Sequence, residues 1–433
     1  MKQNPIILLI LLLGGAGLAA PDQTVWQTRM REANRLDREG RYAEARTLYL
    51  AGLDEAEKLG SLDRRLAESL NNLAAHYFHC GKYAQAEPLY RRALDLWKGL
   101  GPAERRDLAV TMNNLAALYR AQSRYLEAEP LYVNALELLE QTSGMESVDV
   151  ATGLNNLSEL YRSQGRYDKA ETSAKRSLDI AERTSGHESV RTAASLLTLA
   201  GVWRDLGRYE EALTLLHRSL QLVEASLGPE HPQVAAALGN LAEVYSSQRR
   251  FVEAEPLAKR SLEIRERTLG LEHPYVAVGL NNLAQIARLQ GRHAEADPLY
   301  RRALAIWEKN LGSEHPDLAK GLGNLADFYH ERGREQAAET LLTRALAILE
   351  KALGQDHPQV AVVTRDLADV YRAQGRFRRA VELYDRALRT LEKTVGRDDP
   401  RYRESLAGYA RLLRQNKRPQ EAAKIEAVVN ALR

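Results

Sequence analysis

The sequence predicts an all-α protein built as a solenoid of about ten helix pairs. A turn signal of the Gly-Arg-Tyr type recurs every 42 residues from position 81 to position 375 of the 433-residue chain. The stretches between these turns carry apolar residues at helical spacing. One such pair cannot bury its apolar face alone, whereas stacked pairs share a continuous core. The repeat therefore replaces the two or three separate domains that this length would otherwise suggest.

The first 19 residues are predicted to be a secretory signal peptide. Lys2 precedes an apolar stretch at 6–13, and the small residues Gly17 and Ala19 precede the expected cleavage point. An uncleaved membrane anchor is the alternative, although the apolar run is short for a membrane span. We therefore expect an exported chain, periplasmic or secreted, in which residues 20–433 form the solenoid.

The third repeat shows the pattern that defines a helix pair. Residues 110–122 place Leu115 and Tyr119 on one face of a first helix, and the turn follows at 123–125. Residues 126–140 then form an amphipathic second helix. Ten such repeats fit into the chain, and the last has the polar Glu426 at an otherwise apolar position, as a cap requires. Their predicted limits lie near 24–65, 66–107, 108–149, 150–191, 192–233, 234–275, 276–317, 318–359, 360–401 and 402–433.

Four loops between repeats contain a His-Pro pair that is predicted to begin the next helix. Proline suits the first helical turn because its missing N–H costs nothing there. The histidines recur once per repeat, so they cannot share a metal ion, and we predict a structural role at the helix starts. These residues are His231, His273, His315 and His357.

The spacing of Leu115, Ala116, Tyr119, Ala128 and Tyr132 resembles the tetratricopeptide repeat signature. The repeat length and the phrases LNNLA, EAEPLYRRAL and LGxEHPxVA are similar to those of the kinesin light chain type. This resemblance implies a right-handed superhelix whose first helices line a concave groove that binds peptides or protein surfaces. The heptad coiled coil of kinesin light chains is replaced here by the signal-like segment, so we do not expect motor-cargo function.

Composition and motifs argue against several other functions. The formal charge is +3, from 61 basic and 58 acidic residues, which gives no case for bulk nucleic-acid binding. The single cysteine excludes an internal disulfide and a four-cysteine metal site. The sequence has no G-x-S-x-G, H-E-x-x-H or P-loop motif, so we expect no enzyme activity and no cofactor. His76, His79 and Cys80 form a local cluster, but His76 occupies a position that is apolar in the next repeats, and no metal site is predicted there.

The recurring asparagine pairs supply candidate binding residues. The resemblance implies that the fifth residue of each first helix faces the groove, and this residue is Asn71, Asn113, Asn155 or Asn281 in four repeats. An asparagine amide both donates and accepts, so it can hold a peptide backbone without reading its side chains. The second asparagine of each pair recurs in six repeats, and we predict that it joins neighbouring repeats. A solvated polar helix face is the alternative for the first asparagine.

Arginine occupies the twelfth position of six first helices. Glu159 can neutralise Arg162 on the same helix, whereas Arg120 and Arg288 have no such neighbour and are predicted to be free. Amides, small apolar residues and a free arginine suit an extended segment that carries a carboxylate. The candidate groove residues are Asn71, Phe78, Val110, Asn113, Ala117, Arg120, Asn155, Arg162, Asn281 and Arg288.

These observations predict a non-enzymatic protein–protein interaction scaffold that binds an extended peptide or a partner protein in its concave groove. The first alternative is a structural spacer or assembly factor in a cell-envelope complex. The second is a regulatory accessory subunit of a separate enzyme. No metal, cofactor or nucleic acid is expected, and the sequence leaves the oligomeric state open.

Overall fold

The computed structural model describes residues 23–60, 62–397 and 399–431, and these residues confirm the predicted all-α class. The predicted signal segment, residues 1–19, lies outside the described residues. No helix in the described ranges is both long and apolar enough to cross a membrane.

The described residues form twenty α-helices in consecutive helix-turn-helix pairs, with one short 3-10 turn before the fifth helix. The first helices of the pairs are α1 (Gln23–Arg38), α3 (Arg64–His79), α5 (Arg105–Ala121), α7 (Val148–Ser163), α9 (Val190–Asp205), α11 (Pro232–Ser247), α13 (Pro274–Leu289), α15 (Pro316–Glu331), α17 (Pro358–Ala373) and α19 (Pro400–Gln415). The second helices are α2 (Tyr42–Lys58), α4 (Tyr83–Leu100), α6 (Tyr125–Ser143), α8 (Tyr167–Ser185), α10 (Tyr209–Leu227), α12 (Phe251–Leu269), α14 (His293–Leu311), α16 (Glu335–Leu353), α18 (Phe377–Thr394) and α20 (Pro419–Ala431).

The chain divides after Ile286 into two compact parts. Each part is built around a tyrosine that recurs at one position of the second helices. Tyr90 and Tyr132 are fully buried in the N-terminal part, and Tyr384 is fully buried in the C-terminal part. In the last pair the position belongs to Glu426, whose carboxylate pairs with Arg414 at 2.6 Å instead of entering a core.

The helix starts confirm the structural role predicted for the loop histidines. In His231, His273, His315 and His357, Nδ1 accepts a hydrogen bond from the backbone N–H two residues later, at 3.0–3.2 Å. Asp63, Ser147, Ser189 and Asp399 cap other first helices with side-chain oxygens. Because a neutral imidazole nitrogen can accept as an oxygen does, these residues satisfy the same unpaired N–H groups.

A turn arginine joins successive pairs, and the sequence interpretation missed this contact. The guanidinium of Arg124 lies 4.0 Å from the ring centre of Tyr119 and pairs at 2.7 Å with Glu87 of the preceding repeat. Stacking on an aromatic ring and pairing with a carboxylate both stabilise this turn. The same two contacts recur at Arg166, Arg208 and Arg376.

Candidate functional site

In the N-terminal part, the first helices of adjacent repeats lie side by side. Residues 43 positions apart contact each other along these helices: Arg64 pairs with Asp107 at 2.6 Å, and Arg162 pairs with Asp205 at 2.8 Å. Adjacent second helices are also joined by ion pairs, such as Arg176 with Glu140 at 2.6 Å, but among the described residues their backbones lie farther apart than those of α5, α7 and α9. The tighter packing of the first helices makes them the inner side of this part. We call the side of these helices that carries Phe78, Asn113, Arg120, Asn155 and Arg162 the inner face. Phe78, Arg120 and Asn155 are partly exposed there, whereas Asn113 and Arg162 are buried just beneath them.

Asn71 and Asn72 do not have the separate roles that the sequence suggested. Its side chain is fully buried, with Nδ2 donating to Asn72 Oδ1 and Oδ1 accepting from Asn114 Nδ2, both at 3.1 Å. The first asparagine of repeat two therefore joins its own repeat to the next one, the task that was predicted for the second asparagine. We correct the prediction for Asn71, because a partner could reach its amide only if the helices moved.

Asn113 and Asn155 are left with an incomplete set of hydrogen bonds. Asn113 Nδ2 donates to the Ala109 carbonyl at 3.1 Å, and Asn155 Nδ2 donates to Ser195 Oγ at 3.2 Å. The amide oxygen of each is shielded from water and has no hydrogen-bond partner among the described residues. An unpaired buried acceptor costs about 1–3 kcal/mol. Two equivalent positions on adjacent helices thus carry unused acceptors.

The candidate arginines differ in whether a carboxylate neutralises their positive charge. Arg120 is half-buried, donates to Ser163 Oγ at 3.3 Å, and forms no ion pair with any described residue, as predicted. The prediction that Arg288 is free is wrong, because it pairs with Glu331 at 2.6 Å. The residue 43 positions later decides the outcome, since it is a serine for Arg120 and a glutamate for Arg288.

Arg162 is neutralised more fully than the sequence suggested. It is 5% exposed and pairs with Glu159 at 2.7 Å, as predicted, and also with Asp205 at 2.8 Å. The two carboxylates together raise the pKa of the guanidinium against the opposing effect of burial. A ligand would have to displace both carboxylates, so Arg162 contributes little free positive charge to the inner face.

The apolar candidates fall into two groups. Phe78 is half-buried and packs against Tyr83, with ring centres 5.5 Å apart. Val110 and Ala117 are each only 4% exposed and belong to the core, as does the buried amide of Asn281. Phe78 therefore remains the accessible apolar candidate, while Val110, Ala117 and Asn281 lie beneath the surface.

The His76 cluster gains one residue that the sequence did not indicate. Asp37 Oδ1 lies 2.6 Å from His76 Nδ1, and Oδ2 lies 3.2 Å from His79 Nδ1. Burial disfavours the Asp37 carboxylate, but the hydrogen bonds from the two histidines outweigh it and lower its pKa to about 2. Burial raises the pKa of the Cys80 thiol to about 12, so the thiol stays protonated. Within the described ranges no three such side chains converge as a metal site.

Fold and inner face together define a helical-repeat protein whose inner surface carries unused polar groups. The tetratricopeptide repeat profile matches most of the chain, and the chain belongs to that family. The matched segments are 36–99, 65–141, 107–183, 149–202, 191–267, 235–309, 275–351, 317–393 and 359–427. No match was found among curated proteins.

Several solved structures are similar to this chain or to part of it. The chain is 32% identical to a putative kinesin light chain of Podosopora anserina with nearly identical TPR-like repeats, over 47% of this chain and 96% of that one (TM-score 0.41). It is 25% identical to BtubC (BKLC) from P. vanneervenii, over 57% of this chain and 93% of that one (TM-score 0.41). A Rap protein complexed with competence and sporulation factor shares the fold at 18% identity, over 85% of this chain and 98% of that one (TM-score 0.57).

Proposed function

We propose that this protein is a non-enzymatic scaffold that binds an extended peptide segment along the inner face of repeats two to four. One observation carries the proposal: the unused amide oxygens of Asn113 and Asn155 lie on the adjacent helices α5 and α7, and α5 also carries Arg120, which forms no ion pair with a described residue. Buried polar groups are nearly always paired in folded proteins, and an external donor would satisfy these two oxygens.

The spacing of N–H groups along an extended backbone suits hydrogen bonds to both asparagine oxygens. Neighbouring helices lie roughly 8–10 Å apart. A polyproline-II segment rises about 3.1 Å per residue with three residues per turn, so every third N–H points the same way after about 9.3 Å. Residues i and i+3 of such a segment could each donate to one asparagine. Asn155 is partly exposed, and rotation of its amide about χ2 is soft, so it can turn toward a ligand. Asn113 is only 3% exposed, so its oxygen becomes available only when its side chain moves outward.

Arg120 supplies the electrostatic part of the proposed contact. A charge-assisted hydrogen bond to a ligand carboxylate contributes about 1.5–3 kcal/mol. Ordering an extended segment costs several kcal/mol, so the net affinity should be on the order of micromolar. The half-buried ring of Phe78 offers an apolar contact on the neighbouring helix. We therefore expect a moderate affinity that falls as the salt concentration rises.

The Rap structure supports partner binding by analogy, because a chain of the same fold is complexed there with competence and sporulation factor. Another protein of this fold is named aspartyl phosphate phosphatase F of Bacillus subtilis, at 17% identity. Because a protein of this fold is named a phosphatase, the fold alone does not decide the role, and we propose the non-enzymatic role from this chain's own residues.

Export is proposed from the first 19 residues, and N-terminal sequencing of the mature protein tests it. A chain that begins after residue 19 would support export, and one that retains Met1 would support an anchor.

The experiment compares Arg120→Gln and Asn155→Ala with the wild-type chain in partner capture from the exported fraction. The matched control is Arg372→Gln, because Arg372 occupies the same repeat position but already pairs with Asp369 at 2.9 Å. The proposal predicts that both inner-face variants lose the partner and that Arg120→Gln reduces the salt dependence, while the control keeps both. The same partners and salt dependence in all variants would overturn it. Silent inner-face variants, together with loss of a complex on deleting α19 and α20, would favour the envelope spacer.

A further inference from the structure

A pocket of about 610 Å³ opens between two turns of the C-terminal part. One turn precedes α14 and contributes Arg292 and His293, and the other precedes α16 and contributes Arg332 and Arg334. Phe328 forms part of the wall between them. We call this cavity the turn pocket.

In the ordinary turn between the two helices of a repeat, the arginine contacts three partner groups. Arg376 stacks 4.3 Å from the ring centre of Tyr371, pairs with Glu339 at 2.8 Å, and donates to Gln374 Oε1 at 2.8 Å. The glutamate lies 37 positions before the arginine, and the glutamine lies two positions before it. In several other turns a second glutamate lies three positions later, as with Arg124 and Glu127.

The turn before α16 has lost all of these polar partners. Arg334 keeps its aromatic ring, 4.2 Å from the ring centre of Tyr329, but forms no ion pair with any described residue. The position 37 residues earlier is Asp297, whose side chain is one methylene shorter than that of glutamate. Ala337 stands where the second glutamate would be, and Arg332 replaces the glutamine. Arg332 and Arg334 are both exposed and neither forms an ion pair with a described residue, although Arg334 lies close enough to Asp297 to contribute to the lowered pKa of that carboxyl.

The carboxylates around the turn pocket are already occupied. Each accepts a hydrogen bond or an ion pair from a group other than Arg332 or Arg334. The pairs are Asp297 with the Tyr329 hydroxyl at 2.7 Å and with Arg301 at 2.8 Å, Glu295 with Arg292 at 2.8 Å, and Glu335 with His330 at 2.6 Å. These acids therefore do not supply the missing partner of the turn.

Two further features of the pocket favour an anion. His293 lines the pocket, and its ring can donate a hydrogen bond from the nitrogen that carries the proton. Both α14 and α16 begin at the pocket, and a helix start carries partial positive charge and unpaired N–H groups.

We propose that the turn pocket binds an oxyanion, namely a phosphoryl or carboxylate group, between Arg332 and Arg334. The planar guanidinium groups suit the two-oxygen edge of either group. The stacking on Tyr329 holds Arg334 in place at the wall of the pocket. This proposal uses none of the inner-face residues and does not depend on the function proposed for them.

Titration calorimetry of the full chain tests the proposal with two probes, inorganic phosphate and glutamate, each at ionic strength matched with sodium chloride. The double variant Arg332→Gln, Ala337→Glu rebuilds the ordinary turn, so it should fold at least as well as the wild type. Arg389→Gln is the control, because it removes an exposed charge on α18. We expect the double variant to weaken binding at least tenfold, and the control and Arg120→Gln to leave it unchanged.

The two probes identify the source of the oxyanion. Tighter binding of phosphate would assign the pocket to a phosphoryl group, and tighter binding of glutamate would assign it to a carboxylate. Either result supports the site provided that the double variant loses the binding. The proposal is overturned if neither probe binds beyond the chloride control, or if the double variant binds as well as the wild type.

Discussion

His273 should make the start of α13 sensitive to pH, and the hydrogen bonds of its ring show why. Nδ1 accepts from the Tyr275 backbone N–H at 3.1 Å, while Nε2 lies 3.1 Å from the Arg38 carbonyl oxygen and must donate to it. The ring is therefore neutral with its proton on Nε2. Protonation of Nδ1 would turn the acceptor into a donor facing another N–H group, and the cap would be lost.

The sign follows from the pKa of the folded state. Burial lowers the pKa of His273, and nearby Arg265 lowers it further, against the opposing effect of the Arg38 carbonyl. The stabilisation is thus fully present above the unfolded pKa of about 6.5 and is lost as the pH falls through the lower folded value. A cap contributes about 1 kcal/mol, so we expect a loss of about that size between pH 7.5 and pH 5.5.

Hydrogen exchange of the Tyr275 amide measures this loss locally. The exchange rate is expressed as a protection factor, because that ratio removes the intrinsic effect of pH on exchange. His273→Ser is the informative variant, because Ser189 caps α9 through its hydroxyl and has no titratable group. The variant should lose the bond to Arg38 at every pH but keep a constant cap. The Arg191 amide beside Ser189 serves as the internal control. If Tyr275 protection in the wild type is unchanged at pH 5.5, or if His273→Ser shows the same fall, the reasoning is refuted.

Two backbone predictions concern stability in chemical denaturation. Arg249 has a φ of 60° where most turns have glycine, and a left-handed residue costs roughly 1–2 kcal/mol, so Arg249→Gly should raise the free energy of unfolding by up to about 1 kcal/mol. A stability equal to or below that of the wild type would contradict this. A Cβ at Gly321 would lie 2.5 Å from the Trp307 ring, so Gly321→Ala should destabilise the protein by about 1–3 kcal/mol. Gly239→Ala is its control, because its nearest neighbour would be 3.4 Å away, and equal effects of the two would refute the steric argument.

The repeat and the helix starts were predictable because both follow from local rules. The 42-residue period and the apolar spacing are properties of single helices, and the structure confirms twenty of them in the described ranges. The caps at His231 and its equivalents were predictable for the same reason, since a capping side chain acts on an N–H group two residues away.

The contacts between repeats could be predicted only in part, because they depend on how the helices stack. A resemblance to the family indicates which helix position faces inward, but not which residue lies opposite it. The pairing of Arg288 with Glu331 follows from the contact between positions 43 residues apart, and this offset exceeds the period by one. The same offset brings Asn71 and Asn114 together. If this offset of 43 residues is used, the sequence alone distinguishes Arg120 from Arg288.

The Asp37 contact is a different kind of miss. Asp37 and His76 lie on the first helices of adjacent repeats and are 39 positions apart, which matches no simple repeat offset. Neither residue type recurs at its position, so the pattern of the other repeats carried no signal for the pair. Only the packed coordinates bring the two side chains within hydrogen-bond distance.

The central claim is that the inner face of repeats two to four holds a peptide, and site-directed photo-crosslinking tests it most directly. A photoreactive phenylalanine analogue at Phe78 keeps the half-buried ring in place, and the same analogue at Leu126, which is 93% exposed on α6, reports the outer surface. We predict that a partner is crosslinked from position 78 but not from position 126, and that Arg120→Gln abolishes the product. Crosslinking from position 126 alone, or a product at position 78 that survives Arg120→Gln, would contradict the account.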